Sequence, residues 1–219
     1  MEVDGDCHQP ARPAFVRSCS DRVLLSTRVL DNLLESEWQY QTSCGGGDYI
    51  SKVQSQILVH HRKIVTDWML EVCQEHSSAR VFLSGVTFLD TVLSLTNLNT
   101  SQLQLLAAAC LSIASKLSDP RPLSLYKLVI FTDCSVTLAE LQNMEMLVLQ
   151  KLRWELSAPT SLDFLWQLVP QLETGHTSPH LARMVSKQSE TFLMLAATEY
   201  KFYNVRPSVM VRTEHLLKI

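Results

Sequence analysis

Residues 103–117 read Leu-Gln-Leu-Leu-Ala-Ala-Ala-Cys-Leu-Ser-Ile-Ala-Ser-Lys-Leu, and this stretch decides the fold. Wound as a helix, it has almost no polar face, and a helix that is apolar all round belongs in the middle of a bundle. Asp119 and Pro120 follow directly, and proline disfavours helix at the residue before it. The sequence therefore predicts one buried central helix that ends here.

The chain around this stretch contains few residues that break helices. Three of its six glycines are residues 45–47, and Gly85 is the single glycine between residues 48 and 158. Prolines in that range occur only at 120 and 122. Because no alternating strand pattern appears either, the fold class is predicted to be all-α.

The spacing of apolar residues predicts three helices before the central one. Their apolar sets are Val23, Leu30, Leu33, Leu34 and Trp38; Ile57, Ile64, Val65, Trp68, Met69 and Val72; and Phe82, Val86, Leu89 and Leu93.

Further helices are predicted after the central one. A short helix covers about 125–131, and Thr137 with Glu140 forms a capping-box pattern that opens the next one. Thr160 with Asp163 repeats that pattern, and a later helix runs from 178 to about 203. A further helix-compatible segment is predicted to begin at Pro207. A five-helix unit is thus followed by the beginning of a second helical unit.

Charge and hydropathy exclude two classes of partner. The formal net charge is −3 and no long Lys/Arg run occurs, so a nucleic-acid partner is not expected. No apolar run approaches the roughly 20 residues that a membrane span needs. Residues 1–4 are acidic rather than apolar, which is unlike a signal peptide. We expect the protein in the nucleus and cytoplasm.

Catalytic and cofactor motifs are not found in the sequence. The six cysteines form no C-x-x-C pair, so free thiols are preferred to disulfides. His60 and His61 have no partners at zinc-finger spacing. Residues 45–47 are not followed by Gly-Lys-Ser/Thr, so no phosphate loop is expected. We expect no metal, no cofactor and no enzymatic activity.

Four ordered segments resemble the cyclin box, most closely that of D-type cyclins. These are residues 61–75 with the core Trp-Met-Leu-Glu-Val-Cys at 68–73, residues 88–95, residues 103–116 ending in Ala-Ser-Lys, and residues 144–154 with Met-Glu and Lys-Leu-Arg-Trp. Weaker similarity continues through 191–202, so the resemblance covers about residues 20 to 210.

The resemblance implies a five-helix cyclin fold present twice, with the central helix third. It divides the chain into a flexible segment 1–19, an N-terminal helix and cyclin box 20–158, and an incomplete C-terminal cyclin fold 159–219. The implied function is a regulatory subunit that binds and activates a cyclin-dependent serine/threonine kinase at the G1/S transition. Implied partners are the kinases that D-type cyclins use, retinoblastoma-type substrates and kinase inhibitors.

The resemblance also assigns site residues. Lys116 matches the cyclin lysine that donates to kinase backbone carbonyls, and Glu145 matches the glutamate that accepts from kinase backbone N–H groups. Arg62 and Asp90 stand on apolar helix faces, where a charge is expected to be paired, and the family pairs these two positions. This predicts a structural buried pair.

Ile64, Trp68 and Gln104 match the patch by which cyclins recruit substrates that carry an Arg-x-Leu type motif. Core packing explains the helical spacing of Ile64 and Trp68 equally well. The sequence departs from the family at His61, where a methionine is usual.

Two other departures leave alternatives open. The Leu-x-Cys-x-Glu motif that binds retinoblastoma-type proteins is not found near the N-terminus, and the second cyclin fold is short. A truncated cyclin that occupies the kinase without full activation is therefore an alternative. A cyclin-fold transcription factor would need a basic DNA-facing surface, against which the net charge of −3 argues.

Overall fold

The structure is a computed structural model that describes residues 27–43, 47–173 and 179–216. Over these residues the chain forms ten α-helices and no strand. They are α1 Thr27–Ser43, α2 Tyr49–Lys52, α3 Val59–His76, α4 Ala79–Leu95, α5 Leu103–Ser118, α6 Leu125–Phe131, α7 Leu138–Lys151, α8 Ser161–Glu173, α9 Pro179–Thr198 and α10 Pro207–Leu216. The predicted all-α class is confirmed, while the predicted segment 1–19 lies outside the described residues.

Helix α5 is the buried centre of the first unit. Residues 106–111 are completely inaccessible to solvent, and α3, α4, α6 and α7 all pack on this helix. Gly85 of α4 explains why one glycine interrupts an otherwise glycine-free region. A Cβ there would stand 3.0 Å from Leu111 Cδ2 and 3.2 Å from Met69 Cε. Glycine therefore lets α4 and α5 approach closely.

Helix boundaries follow the predicted capping residues. The Thr137 hydroxyl accepts from the Glu140 N–H, and the Glu140 carboxylate accepts from the Thr137 N–H at 2.8 Å, which is a complete capping box. At α8 only half of the pattern forms. The Asp163 carboxylate accepts from both the N–H and the hydroxyl of Thr160, but the Asp163 N–H donates to the Thr160 carbonyl and not to its hydroxyl. Asp119 is the C-cap of α5, as expected before Pro120.

The first helix, α1, packs on α8 of the second unit. The buried Glu37 of α1 accepts from the backbone N–H and the hydroxyl of Ser208, both at 2.8 Å. Leu34 and Trp38, which were assigned to its buried stripe, are exposed. The apolar spacing predicted the helix correctly but not the width of its buried face.

The second unit leaves apolar side chains exposed. On α9, Leu193 is fully buried, whereas Phe192 and Leu195 are about half exposed. The helix ends at Thr198, and residues 200–202 form a separate 3-10 turn. The prediction that this helix continues to about residue 203 is therefore wrong at its C-terminal end.

The three described cysteines are free thiols, in agreement with the prediction, and they differ in exposure. Burial, helped by Asp119, raises the pKa of the Cys73 thiol to about 12, and burial also raises that of Cys110. Cys134 is exposed.

We expect iodoacetamide at pH 8 to label Cys134 in the native protein and to spare Cys73 and Cys110. Only roughly one Cys73 thiol in ten thousand is ionised at that pH, and the thiolate is the nucleophile. Mass-spectrometric peptide mapping gives the readout, with the urea-unfolded chain as the control in which all three react. Rapid native labelling of Cys73 would contradict the packing of α3.

Candidate functional site

Helices α5 and α7 bring Lys116 and Glu145 together. Lys116 lies in the last turn of α5 and Glu145 in the middle of α7. Lys116 Nζ is 2.5 Å from Glu145 Oε1, and the two side chains are 48% and 10% exposed. The negative end of α5 favours a lysine in this position. These two residues therefore form one preformed ion pair at the surface of the first unit.

The pair keeps hydrogen-bonding capacity for another molecule. An ammonium has three N–H donors and a carboxylate has about four acceptor positions, and their mutual contact uses one of each. Leu117 and Met146, the next residues in sequence, are about half exposed. Protein interfaces combine apolar area with a few strong hydrogen bonds. The arrangement suits recognition of a protein main chain.

The three predicted docking residues line one cavity of about 340 Å³. Its wall consists of His61, Ile64, Val65, Trp68, Thr100, Leu103 and Gln104. Ile64 is 65% exposed, so core packing does not explain it. The Trp68 indole N–H donates to the Phe131 carbonyl at 3.2 Å, which fixes the ring in the wall. The patch is thus an open apolar depression between α3 and the start of α5.

His61 has a second role beside this cavity. Its Nδ1 accepts from the Leu58 N–H at 3.2 Å, at the N-terminus of α3. The histidine that departs from the family pattern therefore caps α3 while it lines the depression.

Arg62 and Asp90 form a buried bidentate pair. Arg62 Nε donates to Asp90 Oδ1 and Nη2 donates to Oδ2, both at 2.8 Å, and the Arg62 side chain is 1% exposed. Burial alone would lower the pKa of Arg62, but Asp90 outweighs it and raises that pKa above its ordinary value. The predicted pair is therefore present, and it joins α3 to α4.

Sequence reasoning missed two further partners of this pair. The Tyr49 hydroxyl donates to Asp90 Oδ1 at 2.7 Å, and burial followed by the nearby Asp90 raises the pKa of Tyr49. Arg62 also donates to the carbonyls of Ala197 and Thr198 at 3.0 Å. These carbonyls end α9, so Arg62 links the first unit to the second.

A second contact joins the two units near Tyr49. The Tyr200 hydroxyl donates to Asp48 Oδ1 at 2.6 Å and accepts from the Ile50 N–H at 3.3 Å. The rings of Tyr49 and Tyr200 meet edge to face with centroids 5.4 Å apart. Sequence analysis gave no signal for this contact, since Tyr49 lay outside the predicted helices and Tyr200 fell inside the helix predicted for 178 to about 203.

The described part of the chain contains neither a candidate metal cluster nor a candidate membrane-spanning helix. No group of three or more His, Cys, Asp or Glu side chains there could hold a metal ion. None of the described helices is long and apolar enough to cross a membrane.

Comparison with known proteins gives consistent matches. The family model "Cyclin, N-terminal domain" matches residues 28–157. G1/S-specific cyclin-D1 of Xenopus laevis is 39% identical over 195 residues, which are 89% of this chain and 65% of that protein. The Homo sapiens protein of the same name is 38% identical, with 89% and 64% covered. The chain thus spans just under two thirds of the length of these relatives.

A solved structure agrees with the sequence matches. The X-ray structure of a viral cyclin from herpesvirus saimiri superposes with a TM-score of 0.75 and 25% sequence identity, and covers 87% of this chain and 80% of that one.

Proposed function

The chain belongs to the cyclin family and is similar to its D-type members, and on that premise we propose that it binds and activates a cyclin-dependent serine/threonine kinase at the G1/S transition. It acts in this proposal as a regulatory subunit and performs no chemistry itself. The matched relatives are named as G1/S-specific cyclins, which supports the stage of the cell cycle.

The ion pair of Lys116 and Glu145 is the observation that carries the proposal. It presents a donor and an acceptor side by side on the first unit, as the resemblance to cyclins requires for the kinase main chain. Because Glu145 is largely buried, it holds the Lys116 ammonium in place before a partner arrives. Less side-chain freedom is then lost on binding.

The proposed mechanism is positional. A protein kinase transfers phosphate only when its strand-three lysine pairs with the glutamate of its αC helix. A subunit that packs on that helix and holds it inward shifts the kinase towards the active state by its differential affinity for the two states.

Replacing either Lys116 or Glu145 with alanine should weaken kinase binding by about 1–3 kcal/mol, the usual scale for charge-assisted hydrogen bonds. The free chain should lose no more than about 1 kcal/mol of stability with Glu145→Ala, because Lys116 is about half exposed. Lys116→Ala should cost somewhat more, because it leaves the largely buried Glu145 carboxylate without this partner. Isothermal titration with purified kinases measures the first quantity and urea unfolding the second. Arg183→Ala, an exposed change on α9, is the control that should leave binding unchanged.

The double variant sharpens this test. Lys116 and Glu145 contact each other, so their effects on binding should not add. If both single variants bind every kinase of a cyclin-dependent panel like the parent chain, the interface lies elsewhere.

Activation and occupation of the kinase are separated by a phosphorylation assay on the purified complex. We propose activation, so kinase activity should rise on addition of the chain. An inert complex would favour the alternative, a binding protein that occupies the kinase.

The remaining partners are extensions of the same proposal. The depression lined by Ile64, Trp68 and Gln104 would recruit substrates or inhibitors, with retinoblastoma-type proteins among the substrates. We place the protein in the nucleus and cytoplasm, where such kinases act. Ile64→Ala should reduce phosphorylation of substrates that carry an Arg-x-Leu type motif while a short substrate without it is phosphorylated normally.

A further inference from the structure

A second groove opens on the first unit, away from the pair of Lys116 and Glu145. It measures about 420 Å³ and lies between α1, α4 and the C-terminal end of α7. Two leucines form its apolar wall, and its polar lining consists of Tyr40, Thr91, Gln150, Lys151, Arg153 and Glu155. None of its lining residues belongs to that pair. On α7, Lys151 of the groove lies six residues after Glu145 of the pair, which is about 9 Å along the helix.

Arg153 occupies a backbone position in this groove that does not suit arginine. The Trp154 N–H donates to the Leu149 carbonyl and the Arg153 N–H to the Gln150 carbonyl, which closes α7 with a Schellman motif and places Arg153 at its C′ position. Arg153 has φ +50° and the next residue, Trp154, has φ +62°, both in the left-handed region where glycine is the default residue and other side chains are disfavoured.

Helix α6 ends in the same way and provides a comparison. There the Cys134 N–H donates to the Val129 carbonyl and the Asp133 N–H to the Ile130 carbonyl. Asp133 has φ +52° and the next residue, Cys134, has φ +56°. Both helices thus end with two successive left-handed residues, so this conformation belongs to the way the helices end. Because arginine tolerates that region less well than glycine, a glycine at position 153 should relieve the backbone.

The side chains of Lys151 and Arg153 are available to a ligand. Both residues are exposed, and neither forms an ion pair with any residue that the structure describes. The Thr91 hydroxyl donates to the Thr87 carbonyl, so Tyr40 must donate to Thr91 and offers no proton to a ligand. The exposed Gln150 amide is a further donor in the lining, so the two cations are its charged donors.

We propose that this groove binds a glutamate- or aspartate-rich segment of a partner protein, with Lys151 and Arg153 as the groups that hold its carboxylates. Two cations against the one carboxylate of Glu155 give the groove a positive balance. The motif at the end of α7 already satisfies carbonyls that would otherwise repel an anion. The leucine wall accommodates apolar residues between the acids, and the volume is within the usual range for a binding cleft. The proposal is independent of kinase binding.

The experiment uses the full chain and labelled peptides of matched design. The acidic probe has three repeats of Glu-Glu-Leu, and its neutral counterpart has three repeats of Gln-Gln-Leu. A third probe, three repeats of phosphoserine-Gln-Leu, carries a similar charge as phosphate. By fluorescence anisotropy we expect the acidic probe to bind with a dissociation constant below about 200 µM. Its affinity should fall as salt rises, and the neutral probe should not bind.

Arg153→Gly is the decisive variant because it removes the cation and relieves the backbone. Affinity for the acidic probe should fall about tenfold, while Tm should stay equal or rise by about 2–4 °C. Lys151→Gln should weaken the same probe similarly. Asp133→Gly makes the equivalent backbone change at α6 and should leave affinity unchanged.

Several outcomes would overturn the proposal. They are equal binding of the neutral probe, unchanged affinity of Arg153→Gly, and tighter binding of the phosphoserine probe, which would assign the groove to phosphate. A fall in Tm for Arg153→Gly would indicate that the Arg153 side chain also stabilises the fold. Arg153→Gln, which keeps the aliphatic stem, then separates the two roles. If the charge holds the peptide, Arg153→Gln should bind the acidic probe as weakly as Arg153→Gly does. If it binds normally, the proposal fails.

Discussion

Replacing Asp90 with alanine should lower the free energy of unfolding by about 3–5 kcal/mol, the cost of breaking one side of a buried ion pair. The change leaves the Arg62 guanidinium in a site that is 1% exposed without its two carboxylate bonds. It also removes the acceptor of the Tyr49 hydroxyl, which is buried as well. The guanidinium then keeps only its bonds to the Ala197 and Thr198 carbonyls.

Urea unfolding followed by circular dichroism measures the loss, with Asp67→Ala as the matched control. Asp67 pairs with Lys63 four residues earlier on α3, but both side chains are more than a third exposed. Such pairs contribute about 0.3–0.5 kcal/mol. An Asp90→Ala variant as stable as Asp67→Ala would contradict the buried position of the pair.

A double replacement separates the cost of a stranded charge from the value of the pair. Arg62→Met with Asp90→Leu removes both charges and fills similar volume, so it should be far less destabilising than Asp90→Ala. Arg62→Met also releases the carbonyls of Ala197 and Thr198. Hydrogen exchange should therefore show faster opening at the C-terminal end of α9 in the double variant.

The sequence predicted a helix correctly where the signals lay within the helix itself or next to it. Helix α5 was predicted within one residue because its apolar composition and Pro120 are local signals. Helix α2 was missed, since four residues are too few to show a helical period. The partner of α1 was also missed, because apolar spacing indicates that a face is buried but not which element covers it.

For the candidate site, too, the features that one helix shows could be predicted, and contacts between distant helices could not. Arg62 and Asp90 attracted attention as charges on apolar faces, a signal readable from each helix alone. Their pairing came from the resemblance to cyclins, as did the roles of Lys116 and Glu145. The bonds from Arg62 to α9 join residues about 135 positions apart. Backbone carbonyls carry no sequence signal, so those bonds could not be predicted.

The left-handed residues at the ends of α6 and α7 gave no signal either. Glycine at a C′ position announces a helix end, but the chain has Asp133 and Arg153 there. The absence of glycine, which predicted the helical fold correctly, also concealed where these two helices turn.

Leu111→Ala should be the other severe change, with an expected loss of about 2–5 kcal/mol in the free energy of unfolding. Leu111 is fully buried on α5, and its Cδ2 lies 3.0 Å from where a Cβ of residue 85 would stand. The truncation opens a cavity between α4 and α5. Gly85 has no side chain that could move into it, so the site cannot collapse readily.

Gly85→Ala provides the matched test of this packing. In the parent chain the new methyl group meets Leu111 Cδ2 at 3.0 Å and Met69 Cε at 3.2 Å, so it should crowd the core. In the Leu111→Ala chain the same methyl group enters the cavity, and alanine also favours helix more than glycine does. The substitution should therefore restore about 1 kcal/mol of the free energy of unfolding. Urea unfolding of the four chains gives the coupling, and Leu117→Ala, an exposed change on the same helix, should cost no more than about 0.5 kcal/mol. If Gly85→Ala shifted stability equally with and without Leu111, the two residues would not share the contact that joins α4 to α5.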